Sequence, residues 1–371
     1  MKVELLDYEL PDSAIAQRPA EERDQARMLV VRRGSLEDRV VRDWPELVAP
    51  GSLVVLNDTR VVGARLLGRK SKTGGKVELL LVERAGPTMR DSSMGSDGAR
   101  VGMSARFRAL GRGLGDLIGR ELVFGDGALW AVVERPSTTP GLFDVRVATS
   151  LGSLEQALAD HGHVPLPPYI RRPDDDTDRE RYQTVYGRVP GAIAAPTAGL
   201  HLTHAMLAAL ETANVRVGYV TLHVGLGTFQ PVAADDLDDH PMHAEWMTVS
   251  ETLVREVAEA RARGSSVVAV GTTVVRALET AADPDRRGFV VPREGETRLL
   301  IQPGHTFHVV DSLLTNFHLP RSTLLALVAA FAGRTRVLDA YREALARGYR
   351  FYSYGDAMWI PEAIPDGASA S

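Results

Sequence analysis

The 371-residue chain contains no cysteine. That excludes a disulfide framework, a thiolate zinc site, an iron–sulfur cluster and thiol nucleophile chemistry together. Long apolar runs are also missing. The most hydrophobic stretch, Leu324 to Ala332, is far too short to cross a bilayer and reads as a core helix. No apolar run follows Lys2 in the acidic N-terminal segment, so no signal peptide is expected and the chain is placed in the cytoplasm. An excess of positive charge is lacking too. With 43 Lys and Arg against 48 Asp and Glu, the net charge is −5 at pH 7. No global field therefore announces nucleic acid, although a local basic stripe can hold phosphate on an acidic body. What is present is ordinary globular composition, 44% hydrophobic and 25% charged, in a chain longer than one core usually organises. Two domains are expected.

The texture changes twice along the chain. GSLVVLN (51–57) is an apolar, β-branched run between turn signals and reads as a buried strand. From Val61 to Ala148 no helical period of useful length occurs. Short strands such as ARLLGRK, KVELLLVE and ALWAVVE alternate with Gly- and Asp-containing turns, and Gly125-Asp126-Gly127 is a hairpin signal. The small, polar, glycine-rich segment 85–100 reads as a flexible surface loop. After Ser150, strands alternate with helices whose N-caps are Thr203, Ser250 and Ser322, with Gly264 and Gly333 as stops. The expected fold is an α/β main domain (1–61 and 150–371) with an inserted all-β barrel domain (62–149).

Several polar segments fall at strand ends, where an α/β ligand crevice is built. Asn57-Asp58-Thr59-Arg60 leaves the first core strand. His223-Val-Gly225-Leu-Gly227-Thr228-Phe229-Gln230 runs from a strand into a Gly-x-Gly turn that either admits a ligand closely or simply turns. Gly271-Thr272-Thr273 opens a helix whose N-terminus suits a carboxylate or phosphate, with ordinary threonine capping as the alternative. Arg276, on the first turn, could add a bidentate contact to that anion. Asn316-Phe317-His318 joins a strand to a helix, and Ser353-Tyr354-Gly355-Asp356 places an acid on an aromatic turn. His240-x-x-His243-x-Glu245 matches no helical zinc signature, so no metal site is expected. Arg60, Arg65, Arg69, Lys70, Lys72 and Lys76 face the single acid Glu78, which fits either a solvated strand face or a phosphate-binding stripe. The residues alone stop at an α/β enzyme with a β insertion and an unknown ligand.

Taken in order, the segments DYELPDSAIAQRPAEERDQARMLV, LNDTRVVGARLLGRK, HVPLPPYIRRPDDDTDRERYQTVYG, PGAIAAPTAGLHLT, VTLHVGLGTFQPV, DHPMHAEW, VVAVGTTVVRALE, VVDSLLTNFHLPRSTLLALVAAFAG and YRFYSYGDAMWI closely resemble one family, the S-adenosylmethionine:tRNA ribosyltransferase-isomerases of queuosine biosynthesis. The resemblance implies transfer of the ribosyl part of S-adenosylmethionine to 7-aminomethyl-7-deazaguanine at the tRNA wobble position. The ribose is rearranged to give epoxyqueuosine, and adenine and methionine leave. S-adenosylmethionine is consumed as co-substrate, and neither metal nor other cofactor is implied. A base must take the proton that the sulfonium acidifies on the adjacent ribose carbon. His223 or His201 is the expected base or acid, with Asp356 as a second titratable group. Thr272, Thr273 and Arg276 are assigned to the methionine carboxylate. Asn57, Asp58, Thr59, Arg60, Pro196, Thr197, Gly199, Gly225, Gly227, Thr228, Phe229, Asn316, His318, Tyr354 and Gly355 are expected to hold the co-substrate or the modified base. Arg65, Arg69, Lys70 and Lys76 are expected to meet tRNA phosphate. A monomer with no membrane partner is expected. One departure stands out: Val62-Gly63-Ala64-Arg65 replaces the family's Val-Ile-Pro-Ala-Arg, which should loosen the barrel entry. The alternatives are a paralogue acting on a free deazaguanine nucleoside and a non-catalytic tRNA-binding module.

Overall fold

The computed structural model describes residues 1–94, 100–111, 113–225, 227 and 232–364. They form two compact units, Met1–Arg60 with Pro167–Pro173 and Arg181–Ser371, and Val61–Leu166 with Asp174–Glu180.

The first unit is built on a nine-stranded mixed sheet. Its order is Arg293–Thr297, Glu245–Val249, Arg216–Leu222, Leu53–Asn57, Val267–Val270, Ser312–Asn316, Ala357–Ile360, Arg27–Val31, Leu36–Val40. The four strands from Arg216–Leu222 to Ser312–Asn316 are parallel. Every residue of Leu53–Asn57, Val267–Val270 and Ser312–Asn316 is buried, as unbroken apolar runs require when helices cover both faces. One apolar core holds Leu253, Val275, Leu325 and Tyr341 from the helices Glu251–Ala262, Thr272–Thr280, Thr323–Ala332 and Arg334–Ala346. A second, on the opposite face, gathers Trp44, Met206, Leu210 and Trp359. Helix starts follow local chemistry. Thr203 Oγ1 accepts from the Met206 N–H at 3.2 Å, Ser250 Oγ from Leu253 at 3.2 Å, and Ser322 Oγ from Leu325 at 3.2 Å. Each such cap is worth about 1 kcal/mol.

The second unit is a closed antiparallel barrel. Arg65–Lys70, Lys76–Arg84, Arg100–Leu110, Phe143–Thr149, Leu129–Pro136 and Glu121–Phe124 pair in that order, and the last returns to the first. Closure leaves no open edge around this ring. Leu66, Leu79, Leu122, Phe124, Leu129, Val133 and Val145 are buried, in keeping with the in–out alternation along strands such as Lys76–Arg84.

Three local readings are corrected. Segment 85–100 is no loop: Met89–Met94 is a strand, antiparallel to the first half of Arg100–Leu110, with Met89 opposite Ser104. Its polar composition hid it, because pairing comes from a strand long enough to serve two partners on one edge. Residues 95–99 lie outside the described residues. The second unit also extends past 149. The helix Leu154–His161, capped by Ser153 and stopped at Gly162, packs on the barrel strands Arg100–Leu110, Leu129–Pro136 and Phe143–Thr149. Gly63 does not loosen the entry. A Cβ there would sit 2.7 Å from the Leu158 carbonyl oxygen and 3.1 Å from Gly162, so glycine permits tight packing against the end of that helix.

Candidate active site

The four parallel strands of the first unit run in the sheet order second, first, third, fourth along the chain. In such sheets the ligand crevice lies outside the carboxyl ends of the strands. Asn57 ties these ends together. Its Nδ2 donates to the Leu222 carbonyl (2.9 Å) and Thr273 Oγ1 (3.3 Å), while Oδ1 accepts from the N–H groups of Leu222 (3.0 Å) and Thr59 (3.2 Å). Asp58 accepts from Thr221 Oγ1 at 2.6 Å and Arg188 Nε at 2.7 Å. Thr59 Oγ1 lies 2.8 Å from His223 Nδ1, which fixes one ring nitrogen. The ring lies against Gly191, where φ is +153° and a Cβ would fall 2.6 Å from His223 Cε1. Burial lowers the His223 pKa, partly opposed by the Asp58 charge, so the imidazole is neutral at pH 7. Arg60 is exposed.

Beside these ends a crevice encloses about 620 Å³ of non-protein space, part of it open to solvent. Pro196, Thr197, Thr272, Thr273, Asn316 and His318 line it, all singled out by sequence. Among the other wall residues, Tyr169, Thr315 and Tyr352 were not, and Ser353 was read only as part of the aromatic turn. The Tyr169 and Tyr352 rings pack with centroids 4.5 Å apart, and Tyr169 Oη lies 2.6 Å from Ser353 Oγ. Tyr352 has φ +72°, a left-handed conformation costly for an aromatic residue and typical of ligand clamps. Its carbonyl accepts from Asn316 Nδ2 at 2.8 Å. The only sequence signal for this wall was the aromatic density of YRFYSYGD.

Two buried histidines meet this wall. His201 Nε2 lies 3.2 Å from Asn316 Oδ1, so Nε2 carries the proton. Burial pushes its pKa down to about 4, against the opposing pull of Asp356. His318 Nε2 is 2.8 Å from Thr315 Oγ1, and burial pushes its pKa down to about 3. Both are neutral hydrogen-bonding groups at neutral pH.

The helix Thr272–Thr280 begins at the crevice. Its N-cap, Gly271, offers no side chain, and the Val274 and Val275 N–H groups donate to the Gly271 carbonyl. The N–H groups of Thr272 and Thr273 therefore stand at the positive end of the helix dipole with no chain acceptor among the described residues. Neither threonine caps the helix through its side chain.

Other candidates serve the fold. Arg276 is corrected: it does not reach the crevice wall. Its guanidinium forms a buried ion pair with Glu245, and Nε donates to the Leu299 carbonyl at 3.0 Å. Helical spacing turns Arg276 away from the crevice, toward the strand that carries Glu245. Glu245 Oε1 in turn accepts from the Gly225 N–H at 3.1 Å, and Gly227 packs on the His243 ring. Asp356 is buried, with one oxygen accepting from the Arg27 N–H (3.0 Å) and the other from the Arg350 N–H (2.7 Å). Tyr354 packs edge-on against Tyr182, and the Gly355 N–H closes a turn onto the Tyr352 carbonyl. Gly199 sits against the Tyr186 hydroxyl. None of these lines the crevice. Thr228 and Phe229 lie outside the described residues. On the barrel, Arg65 pairs with Glu78 at 2.8 Å, whereas Arg69 and Lys76 are exposed and directly opposite each other.

Polar strand ends, a helix N-terminus and an aromatic wall around one crevice define an α/β protein with a crevice of small-molecule size at the carboxyl edge of its sheet, here in a chain that also carries a closed barrel. The chain belongs to the queuosine biosynthesis protein family, which matches residues 3–360. It is similar to the S-adenosylmethionine:tRNA ribosyltransferase-isomerase of Sorangium cellulosum, with 55% identity over 97% of this chain and 98% of that protein. The protein of the same name from an Anaeromyxobacter strain is 50% identical over 98% of this chain and 100% of the relative. Among solved structures, the S-adenosylmethionine tRNA ribosyltransferase of Thermotoga maritima matches with a TM-score of 0.51 and 36% identity, covering 96% of this chain and 99% of that one.

Proposed function

We propose that the chain is an S-adenosylmethionine:tRNA ribosyltransferase-isomerase. It moves the ribosyl part of S-adenosylmethionine onto 7-aminomethyl-7-deazaguanine at the tRNA wobble position and isomerises it to epoxyqueuosine, releasing adenine and methionine. The observation that carries this reading is similarity to relatives of that name across nearly the whole chain, with the crevice built from the matching segments.

In this reading the crevice receives S-adenosylmethionine, which is consumed, and the reaction draws on no metal or other cofactor. The methionine carboxylate sits at the N–H groups of Thr272 and Thr273, where the helix end favours an anion. The Tyr169–Tyr352 pair flanks the sulfonium, a contact worth ~0.5–2 kcal/mol per aromatic face. His223 takes the proton from the ribose carbon beside sulfur. Its lowered pKa, and an Nδ1–H that donates to Thr59 Oγ1 and so leaves Nε2 as the free acceptor, support a neutral, oriented base. His201, buried with its pKa near 4 and its Nε2–H given to Asn316, acts by holding Asn316 in the crevice wall. Arg69, Lys70 and Lys76 meet tRNA phosphate. The protein acts as a monomer in the cytoplasm; among the described residues no helix is long and apolar enough to cross a membrane.

The test is an incubation with labelled S-adenosylmethionine and tRNA bearing the deazaguanine. Adenine and methionine should appear in equal amounts, and only with that tRNA present. Methyl transfer with S-adenosylhomocysteine as product would overturn the reading, and turnover with the free base in place of tRNA would reassign the substrate.

A further inference from the structure

We infer that Trp246 is the platform on which an unpaired nucleobase of the RNA substrate stacks, immediately beside His223. The inference rests on the reading that the chain acts on tRNA.

The strand Glu245–Val249 runs antiparallel to Arg216–Leu222, with Leu222 opposite Met247. One step further, the His223 N–H donates to the Trp246 carbonyl at 2.9 Å. His223 and Trp246 are therefore cross-strand neighbours, and such neighbours share a face with Cβ atoms ~4.5–5.5 Å apart. This face is open. Glu245, Met247 and Val249 point into the protein, and Trp246 points out. The other three tryptophans, Trp44, Trp130 and Trp359, are 0–2% exposed, against 47% for Trp246. The chain thus seats its large buried rings without difficulty and leaves one bare indole next to a histidine at the carboxyl edge of the sheet.

The surroundings select a base over a phosphate at the ring itself. Trp246 lies opposite Glu296 on the edge strand Arg293–Thr297, and the Glu296 carboxylate pairs with Arg298 at 3.4 Å, so the Arg298 charge there is already engaged and the bare indole face is what the ring's surroundings offer. On the other side of His223 stands a guanidinium that Asp58 holds through Nε, leaving its outer edge exposed. Tyr219 and Thr221 continue the same face of their strand, and the Arg188 guanidinium lies over the Tyr219 ring at 4.5 Å, with its side chain 63% exposed. A nucleotide with its base on Trp246 and its phosphate toward Arg188 would cross His223. Loop nucleotides of RNA present unstacked bases for this kind of contact, and an aromatic face accepts any of them.

Because Trp246 is the one accessible indole of four, acrylamide quenching of the native protein reports on it selectively. Adding an RNA hairpin that carries the anticodon loop should lower the quenching slope. Trp246→Ala should raise KM for tRNA by roughly tenfold or more, with KM for S-adenosylmethionine at saturating tRNA unchanged, and Trp246→Phe should restore most of the loss. A hairpin that binds while leaving the quenching slope unchanged would overturn the stacking role alone. So would an unaltered KM for tRNA in Trp246→Ala. If no RNA binds at all, the tRNA reading itself fails and the platform falls with it.

Discussion

Acidification from pH 7 to pH 5 should destabilise the first unit through two histidines. His201 and His318 are both buried, with pKa values pushed to about 4 and about 3, from an ordinary 6.5. A group whose folded pKa is depressed binds fewer protons in the native state than in the unfolded one. For a histidine, the native state then loses stability as pH falls below 6.5, and the loss continues down to the folded value. At pH 5 each site lies ~1.5 pH units below 6.5 and still above its folded pKa, so each costs about 2 kcal/mol, and the pair about 4 kcal/mol. The window matters, because most carboxylates stay ionised at pH 5 and contribute little. Urea denaturation at pH 7, 6 and 5 measures the loss. His201→Asn and His318→Asn remove one titrating site each, so each variant should lose about 2 kcal/mol less than the parent over the same range. The comparison within each variant cancels whatever the substitution costs in packing. A parent protein equally stable at pH 7 and pH 5, or variants that keep its full pH dependence, would refute the assignment of both rings as buried and neutral.

Arg276→Met should take the cation away from the buried Glu245 carboxylate and cost about 3–5 kcal/mol, read as a lowered thermal midpoint, while Arg276→Met combined with Glu245→Gln should recover most of it; an unchanged midpoint in the single variant would contradict the buried pair. With His223 as the base, kcat/KM should fall on the acid side with an apparent pKa below 6.5 and stay level above it, and an acid limb centred above pH 7 would remove His223 from the role. Lys70→Ala with Lys76→Ala should reduce the slope of log affinity for tRNA against log salt by roughly 0.7–0.9 per lost phosphate contact, and an unchanged slope would place the RNA footprint off this barrel face.

Local chemistry was the most legible part of the sequence. Thr203, Ser250 and Ser322 announce their helices because a cap bonds to an N–H three residues on, and the Gly-Asp-Gly hairpin is equally short-range. The alternation of buried and exposed residues made the barrel visible as well. Long-range pairing was invisible. Nothing in TTVVRALE says that Arg276 meets a glutamate 31 positions back, and so a helix-turn position suggested an anion contact from Arg276 that the fold does not provide. The same limit applies to Asp356, whose backbone donors come from Arg27 and Arg350. Tyr352 and Ser353 were passed over for their neighbours Tyr354 and Gly355, since only the left-handed turn at Tyr352 decides which of four adjacent residues reaches the crevice. Met89–Met94 was hidden because its pairing depends on the length of another strand.

The position of Leu53–Asn57 also governs how the chain emerges from the ribosome. This fully buried strand lies at the middle of the sheet, yet its partners Arg216–Leu222 and Val267–Val270 are made much later. All six strands of the barrel ring are synthesised in that interval. With about 160 residues still to come before the first partner, at 5–20 residues per second, the apolar run waits roughly 10–30 s unpaired. During this time the barrel can close, whereas the sheet has no centre to build on. Trigger-type holdases that shield apolar nascent segments should therefore matter more for the yield of the first unit than of the second, and slowing translation after the barrel should lower the yield of the whole protein.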